Sequence, residues 1–552
     1  MIDIAARRGV QAGRNLAVVG CAASLLLGAP AALAQNVDPG AVEREMQRQQ
    51  QRIEQQAEPK KLEGPGVVGP ARQPGVIFPG GGATLVLKQV IFDESRFLSR
   101  EELNAIAAKY VGSKVDLAGL QRMVEEINAL YAARGVITGA ASLPPQTVTG
   151  GIVKVRLVEG RLHKMSIEGN VQTSADYIRA HFPAQPGEVL DSPALAQRVA
   201  WFNRTSDVQV RALLQPGAEF GQTDVNLSVV EPARDTLQLF TDNQGVKSTG
   251  RYEGGVFYKR HSLFGIDDRL TFYGIKSEGN INGNIAYNVP LWLTDGRIGV
   301  SYSRGAIHIV DGPLKDLDQK GHSSTTSANL AQPVFINELW TILFNAGVSY
   351  GTSDSTTSGM LITDNTTAKF GSGATITLAN QNFSFSVTPY VASAYTSNLI
   401  LSTNRSFTLF TGTTTDVVRL PEDISLSLVG AWQYADVKLL PGDVLFNIGG
   451  PTTVRGYPSN GVSGDSGYYL NLELHRNWNA LLTGLDTYVF TDYGHVFSTF
   501  PINQEAWSAG LGMSWTPVSW VTMELSAGFP LKQLVADQPK YAIYYRLSFR
   551  PL

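Results

Sequence analysis

The chain has 552 residues, a formal net charge of −3 and 17% charged residues, beside 55 glycines, 20 tyrosines and 23 phenylalanines. That balance argues against nucleic acid as a partner and against electrostatic attachment to a membrane surface. Beyond the N-terminal segment no apolar run is long enough for a transmembrane helix, so any passage through lipid falls to a closed barrel of strands.

Residues 1–34 read as an export signal. Arg7, Arg8 and Arg14 supply the basic part, Leu25-Leu26-Leu27 the heart of the apolar part, and Ala32-Leu33-Ala34 a small-residue cleavage site before Gln35. Val18-Val19-Gly20-Cys21 also resembles a lipoprotein box, but the apolar stretch before it is too short. Cys21 is the single cysteine, so the processed chain is expected to have neither a disulfide nor a thiol nucleophile.

Residues 35–58 follow. From Ala41 to Gln56 nearly every residue favours a helix and almost no apolar face is present. Two readings stay open on composition: a solvated tail, or a helix inside a wet enclosure. Residues 59–83 carry Pro59, Pro65, Pro70, Pro74 and Pro79 among glycines, the composition of a flexible linker.

Residues 84–159 predict a small α/β unit. Leu85 to Phe92 is a strand, and Ser99 with Glu102 forms a capping box stapled by Leu98 and Leu103. A second helix spans Asp116 to Arg134, with Leu117, Leu120, Val124, Ile127 and Tyr131 at helical spacing. Strands at Val136–Ser142 and Gly151–Glu159 close the unit. Residues 160–232 repeat the plan: a strand at Lys164–Glu168, a helix at Ala175–Phe182, a helix opened by Ser192 as its capping serine and Pro193 in its first turn, then strands at Val208–Leu214 and Asp224–Val230.

From residue 233 to 552 the texture is short alternating segments separated by Gly, Asn, Asp and Ser. Tyr541, Ile543, Tyr545, Leu547 and Phe549 alternate with Ala542, Tyr544, Arg546, Ser548 and Arg550. One face suits lipid and its interfaces, the other a wet lumen. The count is sixteen strands, the last beginning near Lys540. No enzyme constellation emerges: the histidines are scattered, and no phosphate loop, nucleophile elbow or dinucleotide fingerprint is present. The expectation is a protein that is not an enzyme and needs no cofactor or metal.

Two stretches stand out. Between the eleventh and twelfth strands, Gly449-Gly450-Pro451-Thr452-Thr453-Val454-Arg455-Gly456-Tyr457 reads as a glycine-rich loop with one charge. In the next strand but one, Phe490-Thr491-Asp492-Tyr493-Gly494 puts Phe490, Asp492 and Gly494 on one face. Together they resemble the two signature motifs of the two-partner secretion transporters, in the polypeptide-transport barrel superfamily. The tandem α/β units likewise resemble polypeptide-transport-associated (POTRA) domains. The resemblance implies a mainly β fold: a 16-stranded transmembrane barrel preceded by two POTRA domains and a plug helix.

It also implies that the loop folds into the lumen, with Val454, Arg455, Gly456 and Tyr457 at its tip, and that Arg455 meets Asp492 on the inner wall. It implies an outer-membrane location with periplasmic POTRA domains. The function it implies is secretion of one large exoprotein, unfolded, to the cell surface. The expected partners are that exoprotein (an adhesin, cytolysin or toxin), outer-membrane lipid and the barrel-assembly machinery. The same barrel would serve an insertase or a passive porin or receptor. Two repeats and a polar helix argue against the insertase, and tandem periplasmic units against the porin. One departure is the C-terminus, where Phe549, the candidate assembly signal, is followed by Arg550-Pro551-Leu552.

Overall fold

The computed structural model describes residues 38–56, 62, 64–70, 81–291, 294–459, 461–497, 503–534 and 538–551. The predicted signal segment and most of the predicted linker lie outside them.

Sixteen strands form a closed barrel, from Asp235–Asp242 to Ala542–Phe549, each antiparallel to the next in chain order. Alternation decides the two faces. In the last strand Ile543, Tyr545 and Phe549 stand on the exposed outer face, while Tyr544, Arg546 and Ser548 are buried within. Trp507 and Leu511 likewise face out and Ser508 in, as a period of two requires. Closure is brief. The ladder between the first strand and the last has four pairs among the described residues: Leu239↔Phe549, Phe240↔Ser548, Thr241↔Leu547 and Asp242↔Arg546. Phe549 thus ends the outer wall at the seam, and inside it the Arg546 guanidinium lies 2.8 Å from Asp242.

The sixth to tenth strands are long. Met360–Ala379 has 20 residues, about 65 Å of strand at 3.3 Å per residue. A tilted strand needs far less to cross an apolar band of about 25 Å, so these strands are longer than the crossing requires.

Each small unit has its own core, because each carries amphipathic helices over a half-buried sheet. In the first, helices Arg100–Ala108 and Leu117–Ala133 cover a sheet of order Gln89–Phe92, Ile152–Glu159, Gly139–Ser142. The capping box is present, with Ser99 accepting from the Glu102 N–H and the Glu102 carboxylate accepting from the Ser99 N–H. Leu98 and Leu103 are buried in the same core. Helix Leu117–Ala133 is capped by Asp116.

In the second unit, helices Ala175–Ala180 and Ser192–Thr205 pack on strands Arg161–Glu168, Gln209–Pro216 and Gln222–Val230. The cap of the second helix is Asp191, which accepts from Ala194 N–H at 2.9 Å, not Ser192. Ser192 is occupied elsewhere. Its hydroxyl accepts from Ile137 N–H at 2.9 Å and donates to the Gly135 carbonyl at 3.1 Å, tying the two units together.

A fourth strand in this sheet comes from the predicted linker. Val67–Val68 pairs in parallel with Gln209–Pro216, Val67 opposite Ala212 and Val68 opposite Leu213. Ala212 N–H donates to the Gly66 carbonyl at 2.8 Å. Val67 is buried in the core of the unit, and a Cβ on Gly66 would stand 2.7 Å from Val199. The proline-rich composition hid this strand, since two residues form it only through a tertiary partner.

Candidate functional site

Among the described residues, a helix and a loop occupy the lumen. The helix spans Pro39–Gln56. It is less uniformly polar than its composition suggested. Val42, Met46 and Ile53 fall on one face and are buried against Phe240, Phe257, Tyr273, Ile275, Val246 and Ile307 of the wall. The remaining contacts are polar. Gln50 donates to Asn284 at 3.3 Å, Gln56 to Glu524 at 2.9 Å, and Arg546 to Gln49 at 3.1 Å. A wall lined with such groups satisfies a polar helix without a large apolar seat.

Deletion of the helix, residues 38–56, is expected to raise ion conductance in planar bilayers while the barrel stays heat-modifiable. Its three apolar anchors are worth only about 1.5–3 kcal/mol each, and the wall does not depend on them for its hydrogen-bond ladder. A conductance equal to that of the intact chain would show that the helix does not occlude the pore.

The loop joins the eleventh strand, Ile424–Ala435, to the twelfth, Ser466–Asn477. Phe446–Ile448 and Val462–Gly464 pair as its stem, and the glycine-rich segment forms the tip. Three tip glycines have positive φ: Gly449, Gly450 and Gly456, a conformation that side chains resist. At Gly456 space is short as well, since a Cβ would lie 2.9 Å from Pro530 and 3.0 Å from the Gly528 carbonyl.

Arg455 is the centre of the contact. Its Nε donates to Asp492 Oδ2 and its Nη2 to Asp492 Oδ1, both at 2.7 Å, the bidentate fork. Its backbone N–H adds a third bond to Oδ2 at 3.0 Å. Nη1 donates to Glu473 on the neighbouring strand. The guanidinium carbon sits 3.4 Å above the centre of the Phe490 ring, a cation–π contact. Asp492 is 0% exposed and Arg455 6%. Burial works against the Arg455 charge, but the bonds to Asp492 and the charges of Asp492 and Glu473 outweigh it and hold the guanidinium charged.

The other motif residues shape the seat. Val454 is fully buried, and a Cβ on Gly494 would lie 2.9 Å from it, so Gly494 leaves the room Val454 occupies. The Tyr457 hydroxyl stands 2.9 Å from the carbonyls of both Trp507 and Lys532, which pins the tip to the next strands. Gly456 N–H donates to Tyr544 Oη at 3.0 Å. Helix and loop also touch. Thr452 donates to Glu45 at 2.8 Å, and Arg44 reaches the carbonyls of Gly442 at 3.0 Å and Leu445 at 3.3 Å.

Every residue singled out in the sequence, from Val454 to Tyr457 and Phe490, Asp492 and Gly494, meets in this one place. Sequence reasoning missed Glu473, Tyr544 and a floor of glycines. Phe490 lies over Gly510, Tyr488 over Gly512, and the backbone of Arg455 and Gly456 over Gly528. The signal was present: Asn471, Glu473 and His475 share the polar face of the strand that follows the loop, and His475 sits 2.9 Å from Glu473 and 2.7 Å from Asp486.

Comparison with known proteins bears on what this arrangement belongs to. Residues 221–515 match the family described as haemolysin secretion/activation protein ShlB/FhaC/HecB. Residues 85–160 match the POTRA domain of ShlB type. The outer membrane transporter CdiB of Dickeya dadantii is 24% identical over 497 residues, covering 85% of this chain and 87% of that protein. The heme/hemopexin transporter protein HuxB of Haemophilus influenzae is 24% identical over 491 residues, covering 83% and 85%. The solved structure of CdiB from Escherichia coli superposes with a TM-score of 0.69 at 19% identity, covering 93% of this chain and 99% of that one. The last likeness is one of fold.

Proposed function

Because the chain belongs to the ShlB/FhaC/HecB family of haemolysin secretion/activation proteins, and is an outer-membrane transporter of two-partner secretion with periplasmic POTRA domains, we propose that it takes one large exoprotein, unfolded, at the edge strand Gln209–Pro216 and passes it through its own lumen. The observation that carries this is the Val67–Val68 strand. The edge is built to accept an extended segment in parallel, and the chain's own linker already sits there. Strand addition gives affinity through main-chain bonds and tolerates varied sequence, which suits an unfolded cargo. Val210, Ala212 and Leu214 are buried in the core while Arg211 and Leu213 are less buried, so an added strand would meet the core on one face only.

In this reading the exoprotein competes with the linker, and the helix follows, since it lies directly upstream of Val67. The lumen is closed at rest by the helix and by the loop that Arg455 ties to Asp492 and Glu473. Both must move for a chain to pass, and the link from Thr452 to Glu45 joins their movements. Assembly of the barrel by the outer-membrane assembly machinery, with Phe549 at the closing seam as its signal, is part of the same proposal.

The test follows from the competition. Val67→Asp buries a carboxylate where Val67 now fills a core and should free the edge. A segment that no longer competes raises the apparent affinity for an N-terminal exoprotein fragment by the inverse of the free fraction, about tenfold if the edge is free 10% of the time. Fluorescence binding to the full-length transporter in detergent measures it. Equal or weaker affinity in the variant would place capture elsewhere.

A further inference from the structure

The second POTRA domain meets the barrel through a buried polar clasp. Asp207 leads into the edge strand and lies over the barrel turn between the second strand, Glu253–His261, and the third, Arg269–Lys276. The backbone N–H groups of Asp207 and Val208 donate to the Asp267 carboxylate at 3.2 and 3.4 Å. The Asp207 carboxylate lies 2.9 Å from His261 Nε2 and 3.2 Å from Arg269 Nε. Arg297 holds Asp267 from the other side, at 3.0 Å from its carboxylate and 2.7 Å from its carbonyl. Ser174 N–H donates to the Gly265 carbonyl at 2.9 Å, and the hydroxyls of Thr173 and Ser262 are 2.9 Å apart. His261 is 1% exposed and Asp267 0%.

The oxygens and nitrogens of Asp207, His261 and Asp267 lie within 4.8 Å of one another, a spacing that a cation could use. Two guanidiniums already neutralise the two carboxylates, however, so the cluster is balanced without one. A second contact lies beside it, where the Arg198 fork holds Asp295 at 2.7 and 3.0 Å.

Direction matters here. Val67–Val68 runs parallel to Gln209–Pro216, so its N-terminal side lies at the Gln209 end. That is the end the clasp fixes against the barrel. A strand taken up in the same sense therefore presents its N-terminal end to the pore.

We propose that Asp267 and His261 are positioning residues for transport: they fix the pore-proximal end of the capture edge at the barrel mouth, and the second POTRA domain is a static part of the path. This rests on the edge-capture reading above. Opening a buried cluster of close ion pairs is costly, because each separated pair leaves a charge in a low-dielectric place without its counter-charge. The parts that move are then the Val67–Val68 strand, the helix and the loop.

The experiment uses the full-length transporter with its exoprotein; the one cysteine of the transporter, Cys21, lies in the predicted export signal. Asp267→Ala with His261→Ala is expected to cut exoprotein in the medium at least about tenfold, the effect of losing one decade in the positioned population. A photo-crosslinker at Gln215 should still trap the exoprotein in that variant. Thr173→Cys with Ser262→Cys, oxidised, replaces the clasp by a covalent one, the separation being within reach of a disulfide. It should restore secretion to the double-alanine chain and leave the otherwise native chain within about twofold of normal. A cross-link that persists without disulfide rescue overturns the clasp. So does an oxidised native chain that stalls until reductant is added. A missing Gln215 cross-link in the native chain overturns the capture reading, and the role of the clasp with it.

Discussion

Gly528→Val should abolish most secretion while leaving a folded, heat-modifiable barrel. Gly528 lies on the inner wall beneath the loop tip. A Cβ there would stand 2.8 Å from Gly456 N and 2.9 Å from the Arg455 carbonyl carbon. Both contacts are with backbone, so no rotamer change relieves them. The loop tip must lift, and with it the three bonds from Arg455 to Asp492. Overpacking of this kind costs about 1–3 kcal/mol, which lowers the docked population roughly 5- to 150-fold. The ladder is not involved, because Gly528 pairs through its backbone with Gly510 and Ala542. Ala527→Val on the outer face is the control and should change secretion by less than about twofold, as surface changes usually do. Exoprotein in the medium and channel conductance are the measurements. Normal values for both in Gly528→Val would mean that the docked loop is not required.

The chain wrote some of this plainly and hid the rest. Strand alternation is a local, repeated signal, and it gives sixteen strands with Arg546 inside and Tyr545 outside because a charge on the lipid face is costly. The loop and strand motifs were legible because Arg455 is the only charge in a run of glycines and Asp492 lies on a face shared with Phe490 and Gly494. Other features depend on contacts that no local pattern records. Val67–Val68 is a strand only because Gln209–Pro216 offers an edge. The stripe of Val42, Met46 and Ile53 is three residues among polar neighbours, too sparse for periodicity to register. Gly510, Gly512 and Gly528 read as small lumen residues, whereas each makes room for a particular neighbour. Asp191 outranks Ser192 as a helix cap because Ser192 is spent on holding the two POTRA domains together.

Arg455→Ala should also leave the barrel assembled and secretion strongly impaired, and its partner shows why. Truncation leaves the buried Asp492 carboxylate without its counter-charge, and Glu473 loses the guanidinium while keeping its hydrogen bond with His475. Removing one member of a buried pair costs roughly 3–5 kcal/mol, more than an exposed pair is worth. The cost falls on the docked state alone, since a lifted loop returns both ions to solvent. Docking is therefore lost before the barrel is. Arg455→Lys should fail too. An ammonium is a point charge without the planar fork, and it cannot hold both Asp492 oxygens and Glu473 at once. Asp492→Ala should match Arg455→Ala, because it strips the guanidinium of both bonds of its fork, takes the acceptor from the Arg455 backbone N–H, and leaves the guanidinium over Phe490 with Glu473 alone. In a double-mutant cycle on exoprotein release the combined variant should be scarcely worse than either single one, a coupling of about 2–3 kcal/mol. Two losses that add in full would mean that Arg455 and Asp492 act in transport through different partners, whatever their distance at rest.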